Sequence, residues 1–324
     1  MKQLKVILKG VLPFVLAILI LWWMYRGMDY RIFLQAVTED MDWRWMLLSL
    51  AVGVLPGVFR ALRWRMALKP MGEDASSRVC CDAIFLSYAS SLIIPRVGEV
   101  TRCGTLRQHA GVSFTKSLGT VVTERIVDSV LIVLLTIVAF VVQLPWLIRF
   151  LHETGTDWRG LLSRFTSTGY LVTAACIVIA IVFIVMLLWR VTVFRKGKHV
   201  VQGFWEGIMS LRHVSNLPLY LLYSLGIWAG YFLHFYLAFF CFEATASVSL
   251  PAAFLIFCIG SFAVLVPTPN GAGPWHFAVK TMLVLYGVAE QPAIVFALVT
   301  HTIQTALVVL LGAYGWVDLL LRKK

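Results

Sequence analysis

The stretch "SSLIIPRVGEVTRCGTL", residues 90–106, interrupts an apolar run and decides how the rest of the chain is interpreted. The apolar segment begins near Cys80 and breaks at Pro95, because proline has no N–H to donate and its ring clashes with the preceding helical turn. Charged residues follow closely, namely Arg96, Glu99, Arg102 and Arg107. Such a break indicates a helical hairpin whose charges face one another or water.

The composition is that of an integral membrane protein. Of the 324 residues, 60% are hydrophobic and 14% are charged, a balance that a water-soluble domain of this size cannot bury in one core. The net charge is +12, and the basic residues stand between apolar runs, which favours lipid headgroups over nucleic acid as partners. The six cysteines form no C-x-x-C pair, so we expect no disulfide framework, no metal site and no cofactor.

The apolar runs differ in length, and the differences predict the fold. The first run, 6–24, is long enough to span and is interpreted as a retained helix. Further runs lie at 45–62, 80–95, 118–143, 169–189, 218–240, 252–266, 276–288 and 293–318. Three of them, 80–95, 252–266 and 276–288, are shorter than the about 20 residues of a spanning helix. We predict an all-α polytopic membrane protein with about six full spans and two re-entrant hairpins.

Basic clusters predict which connections are cytoplasmic. One cluster comprises Arg60, Arg63, Arg65, Lys69 and Arg78, and another lies at 190–212. The connections 25–44, 144–168 and 241–250 are predicted to be external. If 80–117 dips in from the cytoplasm and 252–289 from outside, both termini are cytoplasmic.

This topology divides one membrane domain, 1–324, into two halves of the same order, the second inverted. The first half covers 1–143, an external connection 144–168, the second half 169–318, and a basic cytoplasmic tail 319–324. Inverted halves with interrupted helices are typical of carriers whose site lies near the membrane midplane.

The span after the first hairpin opens with "TVVTERIVDSVLIVLL", where Glu124, Arg125 and Asp128 share one side of a helix. A charge near the bilayer centre costs about 2.5–3.5 kcal/mol on insertion scales, so these groups should not face lipid. Two interpretations stay open. The charges form an ion-pair lock between hairpin and span, or Arg96, Arg102 or Arg125 holds an anionic headgroup through its bidentate fork.

The second hairpin turns at "VLVPTPNGAGPWHFAVK", where no regular helix can continue. The helix start would favour an anion, and the glycines would let a headgroup approach the backbone; a simple tight turn is the alternative. The candidate residues are Pro267, Pro269, Asn270, Gly271, Gly273 and His276. On the last span, His301 and Gln304 lie at i and i+3 and either line the same cavity or make a helix–helix hydrogen bond.

Three motifs, "LIIPRVGEVTR", "VVTERIVDSV" and "VPTPNGAGPWHF", resemble the flippase-like family that includes the membrane region of lysylphosphatidylglycerol synthases. The resemblance covers nearly the whole chain and implies a bacterial or archaeal inner-membrane protein that moves lipids or lipid-linked intermediates. The family elements map onto Arg96, Gly98, Glu99 and Arg102, and onto Glu124, Arg125 and Asp128. In the late turn, Asn270 replaces a family glycine and His276 stands near the family's acidic position.

The resulting hypothesis is a lipid translocator with a midplane pocket between the two hairpin tips. Its expected partner is an anionic membrane lipid or a polyprenyl-phosphate-linked lipid. The rival is a membrane-embedded transferase with Glu99, Glu124 or Asp128 as base, but no metal-ligand cluster, phosphate-binding glycine loop or soluble catalytic domain accompanies them. A scaffold for an envelope pathway is the third alternative. We therefore expect no catalytic residue.

Overall fold

The computed structural model describes residues 14–15, 17–28, 30–95, 97–153, 214, 216–266 and 268–322. These residues form helices joined by short turns and contain no strand. Two candidate site residues, Arg96 and Pro267, lie outside the described residues, as do the predicted span 169–189 and the whole basic cluster 190–212.

The helices follow the apolar runs, with hairpins where proline and glycine interrupt them. A first helix, α1, covers 17–25, and the short helix Tyr30–Gln35 continues into a π-helical turn, Ala36–Asp40. The next five are α2 (Trp43–Gly53), α3 (Leu55–Leu68), α4 (Ser77–Ile93), α5 (Gly98–Ala110) and α6 (Phe114–Glu153). The last four are α7 (Leu217–Phe239), α8 (Leu250–Ala263), α9 (Pro274–Leu285) and α10 (Glu290–Leu321).

Four regions of the described chain are long and apolar enough to cross a membrane, so the protein is a multi-pass α-helical membrane protein. They are Trp43–Met71, Phe114–Trp146, Leu217–Phe239 and Glu290–Leu321. Helix α6 continues through Pro145 beyond the apolar run that predicts it, because a proline removes one backbone hydrogen bond and kinks a helix without having to end it.

Helices α4 and α5 pack against each other and form the first hairpin. Its turn is followed by Gly98, the glycine of the motif "LIIPRVGEVTR". A Cβ at Gly98 would lie 2.1 Å from the Ser87 carbonyl oxygen, and the Gly98 N–H donates to Ser91 Oγ at 3.2 Å. Only a residue without a side chain lets α5 begin this close to α4.

Helices α8 and α9 pack against each other and form the second hairpin. Its turn contains a 3-10 segment, Pro269–Gly271, and three left-handed residues, with φ of 51° at Asn270, 70° at Gly271 and 90° at Gly273. A Cβ at Gly273 would lie 3.3 Å from the Ala17 carbonyl oxygen, so this turn sits directly on α1.

The first hairpin begins and ends at the same end of the helix bundle. Glu73, just before α4, accepts from the backbone N–H of Ser113 at 3.2 Å and pairs with Lys116 at 2.9 Å, just after α5. Both contacts lower the pKa of the Glu73 carboxyl, the Lys116 hydrogen bond most. Arg78 at the start of α4 pairs with Asp318 at the close of α10. We call this the 73/318 end.

The second hairpin begins and ends at the opposite end. The Asp42 N–H donates to the Cys241 carbonyl at 2.9 Å, which joins the start of α2 to the close of α7. The helix Glu243–Ala246 contacts α10, and the Gln291 side chain at the start of α10 donates to the Gly27 carbonyl at 3.4 Å. We call this the 42/241 end.

Each hairpin packs against a long helix that is distant from it in sequence. Helix α6 contacts α8 of the second hairpin, and α10 contacts α4 of the first. Helix α7 crosses α2 and α3, and the turn Pro269–Gly271 contacts α4. The tip of the second hairpin therefore rests on the first hairpin.

Candidate functional site

A buried network of ion pairs joins α3, α5 and α6. The two Asp128 carboxylate oxygens lie 2.7 Å from Arg60 Nη1 and 2.7 Å from Arg63 Nη1. Glu124 Oε2 lies 2.8 Å from Arg102 Nη1, while its Oε1 is 3.8 Å from Arg63 Nε. All five side chains are buried, and Arg63 stands between the two carboxylates. This arrangement is an ion-pair lock between the hairpin, the span and α3.

Aromatic and hydroxyl groups fix the guanidinium planes. Arg102 lies over the Trp64 ring at 4.7 Å from its centroid, a cation–π contact, and Trp64 Nε1 donates to Thr120 Oγ1 at 2.9 Å. Arg63 Nη1 also donates to Ser224 Oγ at 3.0 Å, which brings α7 into the network. Arg102 is thus positioned by a ring contact, and Arg63 by a hydrogen bond to a hydroxyl, in addition to their ion pairs.

The network carries more positive than negative charge. Within the described chain it holds three guanidinium groups and two carboxylates, an excess of one positive charge. Its hydrogen bonding is also incomplete, because Arg63 Nη2, Arg102 Nη2 and Glu124 Oε1 are buried without a partner among the described residues. A lock of this kind is specific in geometry but sensitive to the loss of any one member.

Arg60 and Arg63 correct the sequence interpretation, which assigned them to a cytoplasmic connection. They lie within α3 at 4% and 0% exposure. The helix continues past the apolar run 45–62 to Leu68, and the carboxylates of α6 draw both guanidinium groups inward. Arg60 and Arg63 are three residues apart and Glu124 and Asp128 are four apart, so each pair lies on one face of its helix, and this was the available signal.

A second ion pair, between α5 and α6, is accessible. Arg125 Nε lies 2.8 Å from Glu99 Oε1, and the two side chains are 46% and 39% exposed. Arg125 follows Glu124 directly, so it points about 100° away around the helix. The first motif therefore has an inner buried network and an outer accessible pair, close in sequence to Arg96.

The second turn is held on α10 by neutral hydrogen bonds. Asn270 Nδ2 donates to Thr305 Oγ1 at 2.7 Å, and His301 Nε2 donates to the Asn270 carbonyl at 3.1 Å. The Gly273 N–H donates to His276 Nδ1 at 3.3 Å, and the His276 and His301 rings lie 4.3 Å apart. Both histidines thus hold the turn in place.

Several polar atoms beside this turn are left unpaired. Thr268 Oγ1, Thr300 Oγ1 and Gln304 Nε2 are buried and make no hydrogen bond to the described residues. His301 therefore binds the turn, whereas the Gln304 amide nitrogen keeps its donors unused among the described residues.

The candidate residues thus fall into two groups. Glu99, Arg102, Glu124, Arg125 and Asp128 meet between α5 and α6, and Pro269, Asn270, Gly271, Gly273, His276, His301 and Gln304 meet between the second turn and α10. Helix α4 touches elements of both groups.

The fold and the two groups define a polytopic helical membrane protein with two hairpins and charges paired between helices. The family described as lysylphosphatidylglycerol synthase TM region matches residues 10–312, and the chain belongs to this family, which confirms the resemblance of the three motifs. No curated protein and no solved structure matches the chain.

Proposed function

We propose that the protein is an inner-membrane lipid translocator and not an enzyme, and that it moves a phosphate-bearing lipid or lipid-linked intermediate. Family membership places it among lysylphosphatidylglycerol synthase and flippase-like membrane proteins. The observation that carries the finer proposal is the contact between the two hairpins. They start from opposite ends of the bundle and touch where the turn Pro269–Gly271 meets α4.

Helix length supports hairpins that turn inside the membrane. Helix α4 has 17 residues, α8 has 14 and α9 has 12. At 1.5 Å per residue they rise about 18–26 Å, less than the about 30 Å of the hydrocarbon core. Polar groups at both tips would then lie at membrane depth, shielded by protein or water.

Helix direction supports two inverted halves. In the first half, α2 and α3 run towards the 73/318 end, the first hairpin starts there, and α6 runs back. In the second half, α7 runs towards the 42/241 end, the second hairpin starts there, and α10 runs back. The 73/318 end carries Arg65, Lys69, Arg78 and Arg322, so we assign it, and with it both termini, to the cytoplasm.

Energetics decide which arginine receives the phosphate. An accessible ion pair such as that of Arg125 and Glu99 is worth about 0–1 kcal/mol and can exchange partners. Removing one member of a buried pair costs about 3–5 kcal/mol, so Arg102 stays bound to Glu124. We therefore assign the headgroup to Arg125, with the buried network as support.

Transport then proceeds as an exchange of anions on Arg125. Its guanidinium releases Glu99 and takes two phosphate oxygens through its planar fork, while Glu99 turns to water. The excess positive charge of the buried network favours an anion beside it. The acyl or prenyl chains stay in the lipid, and the headgroup passes between the two hairpins.

The test is translocation of fluorescent phosphatidylglycerol in vesicles that contain the purified protein. A membrane-impermeant quencher added outside reports how fast the inner-leaflet probe becomes accessible. Arg125→Lys should slow this rate about tenfold, because a charged hydrogen bond worth about 1.5 kcal/mol is lost with the fork. Arg107→Lys is the matched control, since Arg107 is exposed on α5 and should tolerate the change.

Other lipids then define the substrate. Cardiolipin, aminoacylated lipid and undecaprenyl phosphate should be compared with phosphatidylglycerol, because all present phosphate to arginine. Equal rates in wild-type and protein-free vesicles for every lipid would overturn the proposal. Appearance of a new lipid product by mass spectrometry would instead favour the transferase.

A further inference from the structure

A carboxyl pair outside the arginine network lies where α4 crosses α10. Asp82 on α4 is 1% exposed, and neither of its carboxyl oxygens receives a donor from the described residues. Asp318 on α10 accepts from Arg78 Nε at 3.1 Å and from Arg322 Nε at 2.8 Å. Asp318 therefore binds both arginines, and Asp82 binds neither.

Two glycines bring these carboxyl groups together. A Cβ at Gly315 would lie 2.9 Å from the Asp82 carbonyl oxygen, and a Cβ at Gly312 would lie 2.2 Å from Ala89 Cβ. Helix α10 therefore presses directly on α4, and Arg78, one helical turn before Asp82, binds Asp318, so the two aspartates are neighbours across this crossing. A hydrogen bond between two carboxyl groups needs a proton on one of them. Asp318 is stabilised as an anion by two arginines, so Asp82 is the group that carries it.

Two opposing effects keep this proton exchangeable. An ionised Asp82 would be buried without a donor and would face a second carboxylate, which favours the protonated form. Against this, two arginines face one carboxylate, and the excess positive charge favours ionisation of Asp82. The two effects oppose each other, so Asp82 can both bind and release a proton.

The groups around Asp82 come from every element packed on α4. Helix α10 contributes Asp318, Arg322 and Tyr314, and α4 itself contributes Arg78 and Cys81. On α3, Arg65 is turned to Ser77 and Asp74, and on α5 the nearest titratable side chain to this end is His109. The turn Pro269–Gly271 contributes no titratable group.

The 73/318 end of the bundle holds a cavity beside Arg322. A cavity of about 430 Å³ opens there, lined by Asp74, Ser76, Val79, His109 and Arg322 among others. Arg322 lies on its wall and also binds Asp318, and Val79 is one helical turn before Asp82. One side chain, that of Arg322, therefore separates the cavity from Asp318.

We propose that Asp82 is a proton-binding site, loaded through this cavity, whose protonation controls how the first hairpin packs on α10. Its role in lipid transport rests on the proposed function, whereas proton binding itself does not. With the proton bound, Asp82 donates to Asp318 and holds α4 on α10. When the proton leaves to cavity water, the two carboxylates repel and an arginine must turn to Asp82. Because the second turn rests on α4, both hairpins respond.

The first test is the melting temperature of the purified full chain in detergent at pH 6 and pH 8. The folded protein keeps a proton that an unfolded aspartate has lost, so this stabilisation is present at low pH and disappears as pH rises. The wild type should melt at least about 2 °C lower at pH 8, and Asp82→Asn should lack this decrease. Glu243→Gln, an exposed control, should behave as wild type. An equal decrease in Asp82→Asn would overturn the proposal.

A second variant tests the pair from its other side. In Asp318→Asn, Arg78 and Arg322 lose their carboxylate and Asp82 becomes their acceptor, so Asp82 should ionise more readily. The pH-dependent decrease in melting temperature should then move to more acidic pH. An unchanged position would contradict the pairing. If neither variant folds, the infrared band of a protonated carboxyl in the wild type should fade over the same pH range, and its absence would also overturn the proposal.

A flux measurement separates this inference from the proposed function. In vesicles with a pH gradient, wild-type translocation of phosphatidylglycerol should depend on the gradient, and Asp82→Asn should translocate without that dependence. Gradient-dependent flux in Asp82→Asn would overturn the coupling. Absence of flux in the wild type counts against the lipid translocator alone, because the melting measurement still reports proton binding.

Discussion

The two hairpins are fixed by different chemistry to the spans that follow them. The first hairpin is tied by charge, through Arg102 and Glu124 at 2.8 Å. At its tip the second is tied by neutral hydrogen bonds, from Asn270 to Thr305 and from His301 to Asn270, and its ion pair to α10, Lys280 with Glu290, is partly exposed. Loss of a buried charged partner costs several times more than loss of a neutral one. The comparison therefore indicates a first hairpin that is fixed and a second that yields more readily.

The turns of the two hairpins also differ in what determines their structure. The first turn depends on close packing, since Gly98 has no room for a side chain. The second depends on backbone conformation, since Asn270, Gly271 and Gly273 all have positive φ. A left-handed conformation costs a residue with a side chain roughly 1–2 kcal/mol, so Asn270 is held there by its contacts.

The largest expected effect comes from breaking the charged tie. Asp128→Ala leaves Arg60 and Arg63 without their carboxylate and should destabilise the protein by about 3–5 kcal/mol. Unfolding in detergent and the yield of folded protein measure it, with exposed Arg107→Ala as control. A loss below about 1 kcal/mol would mean that water solvates the network, and the contrast between the hairpins would disappear.

Packing at the first turn should give the next largest effect. Gly98→Ala places a methyl group against the Ser87 carbonyl and should cost about 1–3 kcal/mol in unfolding free energy. Gly104→Ala on the same helix has no described atom within 4 Å and should be neutral or stabilising by up to about 1 kcal/mol. Opposite signs are expected in the same unfolding assay, and equal losses would show that α5 does not press on α4.

The smallest effect should come from the second turn. Asn270→Gly keeps the left-handed backbone and loses the hydrogen bond to Thr305, which is worth about 1 kcal/mol. Asn270→Ala loses the same bond and adds roughly 1 kcal/mol of backbone strain. Thermal unfolding should rank wild type first, Asn270→Gly second and Asn270→Ala third. If Asn270→Ala were the more stable variant, the backbone would not specify this turn.

Sequence reasoning located both hairpins because proline and glycine interrupt apolar runs there. Pro95 ends the first run, and the residues from Pro269 to Pro274 prevent a helix in the second. These signals are local, and local chemistry determines where a helix stops. The charged residues of α6 were expected either to form an ion-pair lock or to hold a headgroup, since Glu124, Arg125 and Asp128 share one side of a helix.

The arginine partners of these carboxylates were not predictable from local sequence signals. Arg60 and Arg63 lie at the edge of an apolar run, where the positive-inside rule accounts for arginine without any partner. Asp82 and Asp318 each stand alone in an apolar segment, and the crossing of α4 and α10 brings them together. Contacts between distant segments depend on helix packing, which no single stretch of sequence encodes.

The packing of α10 on α4 also determines the order in which the protein can be assembled during synthesis. Residues 77–110 emerge from the ribosome long before residues 290–321, yet α10 forms one wall of the first hairpin. During that interval α4 has α3 and α5 as neighbours but lacks α10, and Asp318 has not yet been synthesised. The first hairpin must therefore remain incompletely packed, in the membrane or in the insertion machinery, until α10 has been synthesised and packs against α4.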